Sequence, residues 1–396
     1  MTLTADHAPA QGLRQSLPGL FSLGLASCLA VTTEMLPVGL LPAIGATFAM
    51  PDSVTGLLVS LYAVMVAALA VPLTVATSRF ARKPLILATL LGYAVSNALV
   101  AAAPVFAVVA VGRTVGGITH ALFFSLVIGY TPRLVRRADV GRALALVAGG
   151  ASAGFVLGVP LSTSLGTAVG WRAAFAILAA LSMLTFVLVR WALPKVHHDH
   201  KARGFDRTRR GELAGVATSN MLSFLGQFTV YTFISVSLLA SGVSPAFVGP
   251  VLLGIGACGL LGVWSVGRNV DRYPRRTAVM VLAVVAGALV LLGSTWPTLV
   301  AVIAATAVWN GAFGGVPTMY QALAVRTHAV SPELAGAWIN ATANAGIAGG
   351  AAIGAVLLQI AGLWALPWMG AALVCAGLAV ILLFSKLFRP RSTVTR

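Results

Sequence analysis

Long apolar stretches alternate with short polar ones along the whole chain. Stretches able to cross ~30 Å of hydrocarbon at 1.5 Å per residue begin near Leu20, Val54, Leu85, Val105, Ala143 and Trp171. After a polar segment from Lys195 to Glu212, six more begin near Leu213, Ala246, Ala278, Thr298, Gly336 and Leu366. The pattern predicts an all-α membrane protein with twelve transmembrane helices in two pseudo-symmetric six-helix bundles. Residues 1–194 would form the first bundle, 195–212 a cytoplasmic linker and 213–396 the second. A cleavable signal peptide is the competing reading of the first span, but its leading region holds one arginine and eleven spans follow, so it reads as a membrane helix.

Composition agrees: of 396 residues, 59% are hydrophobic and 9% charged, against about 25% charged in soluble proteins. That excludes a soluble enzyme, a disordered chain and a secreted module. The net charge of +17 would suit nucleic acid, but its placement does not. Every Lys and Arg except Arg113, inside a span, and Arg172, at the other face, falls in the terminal tails or alternate loops. This one-sidedness predicts a multi-pass protein of the inner (plasma) membrane with both termini cytoplasmic and no nucleic-acid partner. Cys28, Cys258 and Cys375 sit inside apolar runs without disulfide or metal spacing and read as small core residues.

The two halves repeat. Gly150, Gly154 and Gly158 form a ladder in the fifth span, and 196 positions on Gly346, Gly350 and Gly354 repeat it in the eleventh. Four-residue glycine spacing exposes backbone on one face, so helices can approach closely. The loop Ser78-Arg79-Phe80-Ala81-Arg82-Lys83 returns as Asp271-Arg272-Tyr273-Pro274-Arg275-Arg276. This expresses either the positive-inside rule twice or a conformational gate, whose cations bridge helix C-termini and acidic groups.

These residues resemble the major facilitator superfamily, and within it the twelve-span drug:proton antiporter branch that includes sugar-efflux and chloramphenicol-resistance transporters. Thr33-Glu34-Met35 with Gly39-Leu40-Leu41-Pro42 is similar to the branch's opening helix. Arg113 through Ala121, containing Gly116, Gly117 and His120, resembles its arginine-glycine motif. Gly154 through Pro160, with Gly170-Trp171-Arg172 beyond, resembles its antiporter motif. Two positions depart from the pattern: Ser78 stands where the family's loop motif is acidic, and Val159 separates Gly158 from Pro160. The resemblance implies a central cavity lined by spans one, four, seven and ten, and coupling of solute movement to protons by alternating access.

Of nine carboxylates, only Glu34 lies well within a span, where an ionised side chain costs at least ~2.5–3.5 kcal/mol and marks either a functional site or a structural ion pair. Glu34 lies roughly 16 Å from the outer end of its span and Arg113 roughly 12 Å into the fourth, so the two can meet. A change in their separation would load or release a proton. His120, two turns beyond Arg113 on the same face, is either a proton relay or a hydrogen-bonding packing residue. Asn97, Gln227, Tyr231, Trp309, Asn310, Asn340 and Asn344 are the substrate-binding candidates, each also able to serve as interhelical glue. Such a set suits a neutral or weakly polar solute such as a drug, sugar or nucleoside. His197, His198 and His200 have a metal-capturing pattern, but Lys201, Arg203, Arg207, Arg209 and Arg210 would repel a divalent ion, so no metal is expected, and contact with anionic lipid is the more natural expectation.

Three functions compete: a proton-coupled exporter, an importer on the same gradient, and a polytopic enzyme or sensor. No loop houses paired carboxylates, an activated nucleophile or a phosphate-binding glycine loop, so an enzyme is not expected. The antiporter resemblance favours export. The expected protein is a monomer whose partners are a small-molecule substrate, protons and membrane lipids, with no cofactor beyond the proton gradient.

Overall fold

The computed structural model describes residues 12–77, 79–136, 139–194, 209–330 and 332–383. Ser78, the linker histidines, Lys201, Arg203 and Arg207 lie outside the described residues. Among the described residues twelve helices are long and apolar enough to cross a membrane: α1 Leu13–Phe48, α2 Asp52–Ala76, α3 Arg82–Ala101, α4 Phe106–Arg133, α5 Arg142–Val169, α6 Trp171–Ala192, α7 Arg210–Ala240, α8 Pro245–Asn269, α9 Pro274–Thr295, α10 Leu299–Thr327, α11 Leu334–Ile360 and α12 Ala365–Leu383. Their mean hydropathy runs from 1.4 to 2.4. The apolar pattern thus locates every span, and the largest shift is at α1. This helix starts at Leu13 rather than near Leu20 because its polar first turn is satisfied by protein: Ser16 Oγ donates to Leu134 O at 2.7 Å.

The glycine ladders set the packing within each group of six. A Cβ at Gly150, Gly154 or Gly158 would lie 2.0 Å from Gly24 O, 2.6 Å from Cys28 O or 1.9 Å from Thr32 Oγ1, so α5 crosses α1 backbone to backbone. The second ladder does the same on α7, where Gly346, Gly350 and Gly354 face the carbonyls of Met221, Leu225 and Thr229 at 2.5, 2.4 and 2.6 Å. Between Gly154 and Gly158 the helix widens into a π turn, closed by Val159 N–H on Gly154 O, immediately before Pro160. A proline removes one helical donor, and a wide turn is one way to absorb it.

Across the two groups, α2 packs along α11 and α5 along α8. Adding six to each helix number exchanges these two contacts, which is the twofold relation implied by the sequence repeat. An apolar core runs through both groups, joining Val31, Met35, Val38 and Leu41 of α1 and Val59 and Ala63 of α2 to Phe228, Phe233 and Trp309. Hydrogen bonds that cross between the groups include Ser235 Oγ to Val38 O at 2.7 Å, Gln359 Nε2 to Ser53 Oγ at 2.8 Å and Ser60 Oγ to Ala348 O at 2.9 Å. They lie from mid-bundle to the end opposite the basic loops. Cys28 and Cys258 are half-buried, whereas Cys375, read as a core residue, is exposed on α12 because its face of that helix meets no other span.

Gly150→Ala should destabilise the protein by about 1–3 kcal/mol through overpacking against the Gly24 carbonyl. Gly149→Ala, with nothing within 4 Å of the new Cβ, should not lower stability, and thermal unfolding in lipid or detergent compares the two.

Candidate functional site

The site begins with two prolines inside α1, Pro37 and Pro42. Each lacks the N–H that would bond the carbonyl four residues earlier, leaving Thr33 O and Val38 O without their helical donors in a region where water is excluded. Both find donors on other helices. Arg113 Nη1 donates to Thr33 O at 2.7 Å, and Ser235 Oγ, on α7, donates to Val38 O at 2.7 Å. Arg113 Nη2 also donates to Glu34 O at 2.7 Å and Nε to Leu58 O at 3.4 Å, while its guanidinium stacks 4.1 Å from the centre of the Tyr62 ring. The arginine-glycine motif makes room for this: a Cβ on Gly116 or Gly117 would fall 2.6 Å from Ser96 Oγ or 2.5 Å from Tyr62 O.

Arg113 therefore meets Glu34 through the backbone, and the carboxyl faces the imidazole of His120. Glu34 Oε2 lies 3.6 Å from His120 Nε2, and Glu34 Oε1 is buried without a hydrogen-bond partner. Glu34 is 7% exposed, Arg113 and His120 1% each. The far nitrogen of His120, Nδ1, is 2.9 Å from the Tyr62 hydroxyl and 3.0 Å from that of Tyr93. Asn97 belongs to this cluster too, donating to Thr33 Oγ1 and Tyr93 O at 3.0 Å each, with its Oδ1 unpaired. Four helices, α1 to α4, thus converge on one buried carboxyl.

A second polar cluster lies between α7 and α10. Gln227 Nε2 approaches Asn310 Oδ1 at 3.5 Å, Asn310 Nδ2 donates to Thr306 O at 3.0 Å, and the Tyr231 and Trp309 rings meet edge to face at 6.2 Å. Gln227 Oε1, Thr306 Oγ1 and Trp309 Nε1 are buried and unpaired. An acceptor, a donor and a hydroxyl that can be either, left open in an aromatic setting, can receive a neutral polar molecule. Asn340 and Asn344 stand apart from this pair of helices: Asn344 Nδ2 donates to Asn340 O and Oδ1 along α11 at 3.0 and 3.2 Å.

At the basic end, Lys83 Nζ donates to the last carbonyls of α6, Arg190 O at 2.8 Å and Leu193 O at 2.5 Å. Arg326 donates to Asp271 O at 3.1 Å and meets its carboxylate at 3.4 Å. Both contacts stay within one group of six helices. Arg79 lies over Phe80 and Arg272 over Tyr273. Arg275 and Arg276 line an open groove with Tyr273, Val279 and Leu382.

Sequence reasoning missed Tyr62, Tyr93 and Thr306. The two tyrosines carried a readable signal, a single phenol deep within an otherwise aliphatic span, but nothing in the spacing ties them to His120. Among the described residues no group of three or more His, Cys, Asp or Glu is placed to hold a metal.

A buried acid–base cluster inside twofold-related bundles of six spans defines a polytopic membrane protein built around a central polar site. The sequence profile of the Major Facilitator Superfamily matches residues 23–327, and the chain belongs to that family of transporters. It is 29% identical over 350 residues to the chloramphenicol efflux pump Rv0191 of Mycobacterium tuberculosis, covering 85% of each chain. It is 30% identical over 397 residues to the transcription regulatory protein OpdE of Pseudomonas aeruginosa, covering 97% of each. Its fold is similar to a bacterial homologue of the human lysosomal transporter Spinster in the inward-facing, occupied conformation, with a TM-score of 0.75 at 13% identity over 93% of this chain and 96% of that one.

Arg113→Lys should be strongly destabilising, because an ammonium cannot serve Thr33 O and Glu34 O as a planar fork does. Each lost charge-assisted bond costs about 1.5–3 kcal/mol, and thermal unfolding measures the loss.

Proposed function

We propose that the protein exports a small neutral or weakly polar organic solute in exchange for protons by alternating access, with Glu34 as the proton-carrying group and Arg113 and His120 as its partners. The observation that carries this reading is the Glu34 carboxyl, the one acid deep within a span, closed off with one oxygen unpaired. A proton is transported when such a group holds it in one conformation and yields it in the other. Each proton moving inward through 100 mV supplies ~2.3 kcal/mol from the electrical term. The direction rests on the antiporter motif and on similarity to an efflux pump.

The basic loops orient the termini-bearing end toward the cytoplasm of the inner membrane. In that orientation the hydrogen bonds Ser235–Val38 and Gln359–Ser53 tie the two bundles, 1–194 and 213–396, on the outer side, and rocking about them would alternate access. Arg79, Arg82, Lys83, Asp271, Arg272, Arg275 and Arg276 then brace the inner ends of the bundles as a gate. The solute would sit against Gln227, Tyr231, Trp309 and Asn310, in a monomer surrounded by lipid. Asn97 supports the proton site, and Asn340 and Asn344 flank the route. A sensor is the second reading, favoured by the similarity to OpdE, and it requires no net solute flux.

In inverted vesicles with an acidic interior, labelled amphenicols, hexoses and nucleosides test the reading: uptake of one of them should follow the proton gradient. Glu34→Gln should reduce uptake to the gradient-free level while the protein remains inserted. Uptake only under the reverse gradient would make it an importer, and binding without flux a sensor. Gln227→Leu should raise the KM of the transported solute about tenfold, the equivalent of one hydrogen bond of about 1.4 kcal/mol.

A further inference from the structure

His120 stands between two unlike neighbours. Its Nδ1 faces the hydroxyls of Tyr62 and Tyr93 at 2.9 and 3.0 Å. Its Nε2 faces Glu34 Oε2 at 3.6 Å. Tyr62, Tyr93 and His120 are all fully buried, so each O–H and N–H must find its acceptor inside the cluster.

Counting hydrogens decides the arrangement. If Nδ1 accepts, it takes the hydrogen of one of the two phenols, and the ring hydrogen sits on Nε2, on the side of the Glu34 carboxyl. If Nδ1 instead carries the hydrogen, it donates to a tyrosine oxygen and can accept neither phenol hydrogen, which leaves one more buried O–H without a partner. An unpaired buried donor costs about 1–3 kcal/mol, which selects the first arrangement.

We infer that Tyr62 and Tyr93 form a hydroxyl clamp that fixes the ring hydrogen of His120 on Nε2. His120 is then a positioning residue, a fixed donor aimed at Glu34, and not a proton carrier while the clamp holds. Its Nδ1 is covered by a hydroxyl, and its Nε2 already bears a hydrogen. The groups facing the ring are Glu34 from α1, Tyr62 from α2, Tyr93 from α3 and, on its own helix, Arg113 and the apolar Phe124 at 5.0 Å between ring centres. Tyr62 is shared further: its ring lies under the Arg113 guanidinium and packs with Ala341 of α11. The clamp is therefore seated at the contact between the two bundles, where a movement of α2 would open it.

The tautomer can be read directly by nitrogen-15 NMR of histidine-labelled protein, with His120→Gln identifying the His120 signals among the six histidines. The expected spectrum has a protonated Nε2 and an unprotonated, hydrogen-bond-accepting Nδ1. Tyr62→Phe combined with Tyr93→Phe keeps both rings and their packing, and should convert His120 to a mixture of tautomers. A protonated Nδ1 in the unaltered protein would overturn the clamp, as would an unchanged tautomer in the double variant. The spectrum needs neither substrate nor gradient, so its outcome is separate from that of the antiport reading. The transport consequence does rest on that reading: the double variant should keep its KM while the pH profile of proton-driven flux gains a second step from a freed imidazole.

Discussion

Two prolines in the first span impose the constraint on which the site depends. In lipid, a helix that loses a backbone donor must have its orphaned carbonyl satisfied by protein. Pro37 and Pro42 strip the donors from Thr33 O and Val38 O, and the replacements come from Arg113 on α4 and Ser235 on α7. One orphaned carbonyl therefore anchors a guanidinium beside Glu34, and the other ties α1 to the opposite bundle. The acid, its cation and the contact between bundles are consequences of the same short segment of chain.

Most of the buried polar groups left unpaired fall into two clusters. In the first bundle they include Glu34 Oε1 and Asn97 Oδ1, and between α7 and α10 Gln227 Oε1, Thr306 Oγ1 and Trp309 Nε1; Thr185 Oγ1, Asn220 Oδ1 and Asn344 Oδ1 lie elsewhere. Buried groups without partners are costly, and sites that bind and release cargo are where proteins retain them. The first set is acidic and surrounded by proton-bearing side chains, while the second is neutral and aromatic. This division suits a protein that handles a proton in one bundle and an uncharged solute at the other.

The fold was readable because lipid simplifies the code: a run of twenty apolar residues has few options besides a spanning helix. The glycine ladders were readable for the same reason, since Gly150 and Gly350 sit where any side chain would collide with a carbonyl. Glu34 and Arg113 stood out as isolated charges. What spacing could not supply was the direction of their side chains. Depth alone paired Arg113 with the Glu34 carboxylate, whereas the guanidinium serves the backbone and His120 takes the carboxylate. Asn97, grouped with the solute candidates by residue type, lies with Glu34 because α3 turns that face toward Thr33. Tyr62 and Tyr93 join His120 only through the crossing of three helices. The loop cations followed the repeat faithfully, yet Lys83 and Asp271 make contacts within their own bundles, a distinction no repeat can reveal.

The central claim is that one carboxyl exchanges its proton for solute. Purified protein in weakly buffered detergent, with a pH-indicator dye, reports that exchange without a membrane or a gradient. Addition of the transported solute should release up to one proton per protein molecule, and Glu34→Gln should bind the solute and release none. Equal release from the two proteins would contradict the account.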